Sequence, residues 1–147
     1  MKKLILQLGL FLFFSTQLLA QSKSDQGLIL QKCIDLPELQ SYLIKDSDGT
    51  IQQLCINYWN PLLFPLNLGV TKSGKSIIYK PMYVDSDKAG VPFILFKIYQ
   101  ITGDVAKVDF EYHYITNNSS RLLQVHVDFI KVGNDWNISK TSLTTNN

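Results

Sequence analysis

From Ser76 onward the chain reads as one β-rich segment after another, with short breaks between them. Ile77–Val84, Val91–Thr102, Val105–Thr116, Leu122–Val132 and Trp136–Leu143 are rich in Val, Ile, Tyr, Phe and Thr, residues that fit a pleated, half-buried surface. Asp85–Gly90, Gly103-Asp104, Asn117–Ser120 and Gly133–Asp135 separate them, and Gly, Asn, Asp and Ser are the residues tight turns use. Parallel neighbours need a crossover of about a dozen residues or more, so connections this short favour antiparallel pairing. The pattern predicts a meander of about five antiparallel strands.

Upstream, Leu28, Leu30, Ile34, Leu36, Leu39, Leu43 and Ile44 recur at mixed three- and four-residue spacings, which predicts an amphipathic helix between Asp25 and about Lys45. Pro37 interrupts it. A proline there either kinks the helix or, with Asp35 as N-cap and Glu38 in the first turn, starts a second short one. Asp46-Ser47-Asp48-Gly49 reads as a stop and a turn. Ile51–Trp59 reads as a further strand, and Asn60–Gly74, with Pro61, Pro65, Gly69 and Gly74 among leucines, as a long loop with an apolar surface to cover. Trp136, just after a turn, reads as a hairpin anchor in the core, and Tyr58-Trp59 with the following loop as cover for a core edge.

The expected fold class is therefore α+β, an N-terminal helix or two short helices packed on an antiparallel meander of about five strands. Over residues 25 to 143 this layout resembles the cystatin-like and nuclear-transport-factor-2-like superfold, in which a curved antiparallel sheet wraps an N-terminal helix. The strand from Val127 into Gly-Asn-Asp-Trp-Asn-Ile resembles the closing hairpin of that group. A plain β-sandwich and a lipocalin-like barrel are the other arrangements left open. The superfold hosts enzymes, binding proteins and inert scaffolds, so function has to be argued from a site.

The first twenty residues have the layout of a secretory signal peptide: basic Lys2 and Lys3, an apolar run from Leu4 to Phe14, and a small residue at Ala20 before a polar stretch. The apolar run falls short of the roughly 20 residues a membrane helix needs, and no Cys follows Ala20 to take a lipid anchor. The expectation is a secreted or periplasmic protein, cleaved near Ala20, with residues 21–147 as a single domain and no transmembrane segment in the mature chain. Losing Lys2 and Lys3 from 14 basic residues leaves as many bases as the 12 acids. The formal charge of +2 thus belongs to the leader, and charge alone gives no support for nucleic acid as a partner.

Cys33 and Cys55 both lie beyond the leader, in a compartment where a disulfide persists. Paired, they would close a loop worth roughly 3 kcal/mol in the chain-entropy view. Buried free thiols are the competing state. Two cysteines are too few for a zinc site of their own, and their spacing is far from a C-x-x-C redox pair.

The candidate site comes from two alternating strands. Val108, Phe110, Tyr112 and Tyr114 share one face and Asp109, Glu111 and His113 the other, while Leu123, Val125, Val127 and Phe129 stand opposite Gln124, His126 and Asp128. With Asn117–Ser120 as a four-residue connection, Thr116 pairs with Arg121. That register sets Glu111 across from His126, His113 across from Gln124 and Asp109 across from Asp128. With Gly103-Asp104 as a two-residue turn, Phe96 falls beside Glu111 and Ile94 beside His113, unless a bulge shifts the register.

Glu111, His113, His126 and Phe96 are therefore the expected ligand-binding residues, with His126, Glu111 and His113 as the acid–base set of an alternative enzymatic reading. An ordinary polar sheet face explains the same residues. Two His with nearby carboxylates bear on a divalent metal, but opposed side chains sit about 5 Å apart and residues two along a strand about 7 Å, too spread to converge on one ion from a flat sheet. No metal or cofactor is expected. Asn118-Ser119-Ser120 and Asn137-Ile138-Ser139 match the glycosylation sequon. There is no Ser-centred elbow, phosphate-binding glycine loop, His-Glu-x-x-His or four-Cys cluster. The reading is a small exported binding or interaction domain for a small ligand or a protein partner, with a small periplasmic hydrolase or isomerase and a structural domain of an envelope assembly as alternatives.

Overall fold

The computed structural model describes residues 25–58, 68–81, 91–117 and 119–146. The leader with its cleavage at Ala20, Trp59, most of the Asn60–Gly74 loop, the Asp85–Gly90 break and Asn118 of the first sequon lie outside the described residues.

Helix α1 covers residues 25–34, and Pro37, which cannot supply an interior helical N–H, opens a separate single-turn helix α2, Pro37–Gln40. Its N-cap is Leu36 rather than the expected Asp35, and no side chain caps it. Asp35 is used otherwise. Lys72 Nζ donates to Asp35 Oδ1 at 2.8 Å and to the Ile34 carbonyl at 3.2 Å, placing a cation at the negative end of α1. Ile29, Leu30, Cys33 and Ile34 make the buried stripe of α1. Asp25 pairs with Lys131 at 2.7 Å and Lys32 with Asp135 at 3.2 Å, which tie the helix to the far hairpin.

The strands are β1 (Cys55–Tyr58), β2 (Thr71–Lys72), β3 (Lys75–Ser76), β4 (Ile78–Pro81), β5 (Phe93–Thr102), β6 (Val105–Thr116), β7 (Ser119–Val132) and β8 (Asp135–Asn146). β2 and β3 form a small hairpin whose turn residues, Ser73 and Gly74, both have positive φ, as a primed two-residue turn requires. The other six make one sheet in the order β4-β1-β5-β6-β7-β8. β5 to β8 pair antiparallel in sequence, whereas β1 runs parallel to both β4 and β5.

This corrects the expected fold class. The described residues are mostly β, with a six-stranded mixed sheet and two short helices among them, not an α+β five-stranded antiparallel meander. The expectation failed at the pairing of β4 and β5. β4 and β5 do not pair with each other; they stand on opposite sides of β1 and both run parallel to it. β1 sits between two neighbours with Cys55, Ile56 and Asn57 all buried, so its sequence lacks the in–out alternation of a half-exposed strand.

The core lies between α1, α2 and one face of the sheet. Ile56, Ile94, Phe96, Val108, Phe110, Tyr112, Leu123, Val125, Val127 and Phe129 face it, and Trp136 is wholly enclosed. The Ile44 N–H donates to the Tyr112 hydroxyl at 3.3 Å, giving that buried ring's polar atom a partner. No helix among the described residues is long and apolar enough to cross a membrane.

Candidate functional site

Strict alternation along β6 buries Ala106, Val108, Phe110 and Tyr112 and turns Asp109, Glu111 and His113 to the opposite, outer face. The same rule on β7 turns Gln124, His126 and Asp128 outward. The connection between these strands is tighter than expected, with Thr116 opposite Ser119 and Asn117 at a positive φ of 51°. The register therefore differs by two residues. His126 stands across from Asp109, Glu111 across from Gln124 and His113 across from Leu122. Because side chains alternate with period two, an even shift keeps every residue on its expected face while changing its partner.

β5 departs by one residue. From Thr102 to Ile98 its pairing with β6 follows the expected hairpin, but a bulge between Phe96 and Ile98 then shifts the register. Phe96 faces Phe110 in the core, their rings 5.3 Å apart, and is not at the site. Leu95 takes its place beside Glu111, and Phe93 lies across from His113. Those two rings stack at 4.5 Å with 7° between their planes.

Two ion-paired clusters result. Glu111 Oε2 holds Lys97 Nζ at 3.1 Å and His113 Nε2 at 3.1 Å. Partial burial pushes the Glu111 carboxyl up, but the hydrogen bonds and charges of Lys97 and His113 outweigh it and hold it below its ordinary value. In the second cluster His126 Nδ1 contacts Asp109 Oδ1 and Nε2 lies 3.2 Å from Asp128 Oδ2. The Asp109 hydrogen bond raises the His126 pKa most, desolvation opposes it, and the bond and charge of Asp128 add to the rise.

A groove of about 350 Å³ runs over these clusters, lined by Lys97, Asp109, Glu111, Gln124, His126, Ser142 and Thr144 along its polar side. The pairing lays these side chains out in two rows across three strands, Glu111–Gln124–Thr144 and Asp109–His126–Ser142. His113 and Phe93 lie just beyond the Glu111 row. The structure thus brings Glu111, His113 and His126 to one face and sends Phe96 to the other.

Lys97, Gln124, Ser142 and Thr144 were not singled out from sequence as ligand-binding residues. Gln124 was legible from the β7 alternation; Lys97 reaches the face only through the bulge, and Thr144 lies past the expected end of the last strand at Leu143. Among the described residues, no group of three or more His, Cys, Asp and Glu side chains is arranged to hold a metal ion. Cys33 on α1 and Cys55 on β1 are both buried free thiols, and burial pushes both thiols up, Cys33 far more.

The chemistry of the second cluster decides what it can do. Ser142 sits directly across from His126, and Asp109 holds the ring at Nδ1, which on paper is the makings of a nucleophile, base and orienting acid. The atom that would take the serine proton, Nε2, is instead engaged by Asp128. Carboxylates at both ring nitrogens favour the protonated ring, which works against proton abstraction from Ser142 at Nε2. Comparison of the chain with protein-family models, with curated protein sequences and with solved structures gives no significant match.

Proposed function

We propose that this protein is an exported, non-enzymatic binding domain that takes a small ligand in the groove on the outer face of its sheet. One observation carries the reading: the groove is lined by side chains that fix one another. Lys97 and His113 anchor Glu111, and Asp109 and Asp128 anchor His126, so the polar lining is preorganised before a ligand arrives and little ordering entropy is spent on binding. The groove's volume of about 350 Å³ lies at the small end of ligand sites. The same pairing turns His126 Nε2 to Asp128 rather than to Ser142, which speaks against a serine-activating hydrolase at this cluster.

The test is a fragment screen read by two-dimensional NMR of the isotope-labelled protein. Compounds that bind should move the amide signals of Lys97, Glu111, Gln124, His126, Ser142 and Thr144 together. A screen in which no compound moves that set overturns the reading. So does an esterase or isomerase activity that Asp109→Asn or His126→Gln abolishes while the fold, followed by circular dichroism, is kept.

A further inference from the structure

We infer that the ligand of this groove is a neutral polyhydroxylated molecule of one or two rings, a sugar in chemical class; the inference rests on the binding reading above. Charge is the first reason. Along the lining, Lys97 pairs with Glu111 and His126 with Asp109, so each of these four ionisable side chains already has a partner within the site. A charged ligand would have to break one of these pairs to gain its own, leaving the displaced group desolvated without a counter-charge. Among the described lining residues, every ionisable side chain is already engaged by another.

The second reason is which groups remain open. Gln124, Ser142 and Thr144 are exposed, line the groove and make no hydrogen bond with other described side chains. An amide and two hydroxyls each both donate and accept, which suits a ligand whose own groups are hydroxyls. Beside them in the two cross-strand rows stand the carboxylates of Glu111 and Asp109. Each carboxylate can accept further hydrogen bonds while keeping its cation, and an O–H donated to an ionised acceptor makes one of the stronger neutral-to-charged contacts. Carboxylate acceptors already held by a partner, next to two-way neutral groups, match a polyol better than an amine, an acid or an apolar ring.

Size is the third reason, since about 350 Å³ admits one or two sugar rings and no long chain. The experiment is an NMR titration with glucose, galactose, mannose, N-acetylglucosamine, maltose and lactose, run beside spermidine and citrate as charged probes. At least one of the sugars should move the signals of Gln124, Ser142 and Thr144, with an affinity unchanged between low and high salt, because no net charge is exchanged. The Gln124→Ala/Ser142→Ala double variant should bind that sugar about tenfold more weakly, the loss expected for one or two hydrogen bonds between neutral groups, with its melting temperature unchanged. If spermidine or citrate moves those signals and none of the sugars does, the ligand class is overturned and the groove stands. The class is also overturned if only compounds from the fragment screen bind there. If neither sugars, charged probes nor fragments move them, the binding reading falls with it.

Discussion

His126 is clamped at both ring nitrogens, by Asp109 and by Asp128, while one row away Glu111 is held by Lys97 and His113. The two clusters respond to pH in opposite senses. His126 has its pKa raised in the fold, so its pairs contribute fully below its ordinary value of 6.5 and are lost as pH climbs through the folded value. Glu111 has its pKa lowered, so its pairs contribute fully above its ordinary value of 4.5 and are lost as pH falls through the folded one. Both are at full strength together only between 4.5 and 6.5. A melting-temperature difference between wild type and the Glu111→Gln/His126→Gln variant should therefore be largest in that window and shrink on either side. A pH-independent difference would contradict it. The groups are partly solvated, so the effect is modest and added salt reduces it. By the same logic Asp109→Asn should lower the His126 titration midpoint, read from the imidazole Cε1 proton; an unmoved midpoint would mean that Asp109 is not what holds the proton.

At the scale of the strand, the bulge at Lys97 decides which residues of β5 belong to the core. Deleting Lys97 removes the extra residue but leaves Ile98 across from Asp109 and Phe96 across from Phe110, so the strand alternates regularly and Ile94 and Phe96 stay in the core. The deletion variant and Lys97→Ala both lose the same surface ion pair with Glu111 and keep the core, so their urea midpoints should lie close together. A far lower midpoint for the deletion would show that β5 and β6 cannot close a regular ladder without the bulge.

How much was legible follows from the same geometry. The alternation of β6 and β7 carried the outer face of Glu111, His113 and His126 because a period of two survives an even register shift. It could not carry partners, which hang on whether Asn117–Ser120 closes over two residues or four. Phe96 was misplaced because a single-residue bulge leaves no mark in the apolar pattern of Phe93–Ile98, where Ile, Leu, Phe and Ile suit either face. Proline was the reliable punctuation: Pro37 marked the start of α2, as its missing N–H demands.

At the scale of the whole molecule, the leader and the sheet make separate demands. If residues 1–20 direct export, the intact mass of protein recovered outside the cytoplasm should correspond to a chain beginning at Gln21. A chain retaining Met1–Ala20 would refute the processing. The same spectrum reads the thiols, since a Cys33–Cys55 bridge lowers the mass by two hydrogens relative to the free pair found here.

The placement of β1 carries a consequence for the order of events. β5 to β8 can zip up from neighbouring stretches of chain, each hairpin closing a small loop. β1 cannot take its place until β4 and β5, both far downstream, stand on either side of it. In a chain delivered amino end first, the segment that arrives earliest is thus among the last to be seated, and such distant pairings are the slow ones. Cys55 and Ile56 must stay uncovered until β5 has come through, which leaves an apolar segment of the unfinished chain open to other unfinished chains.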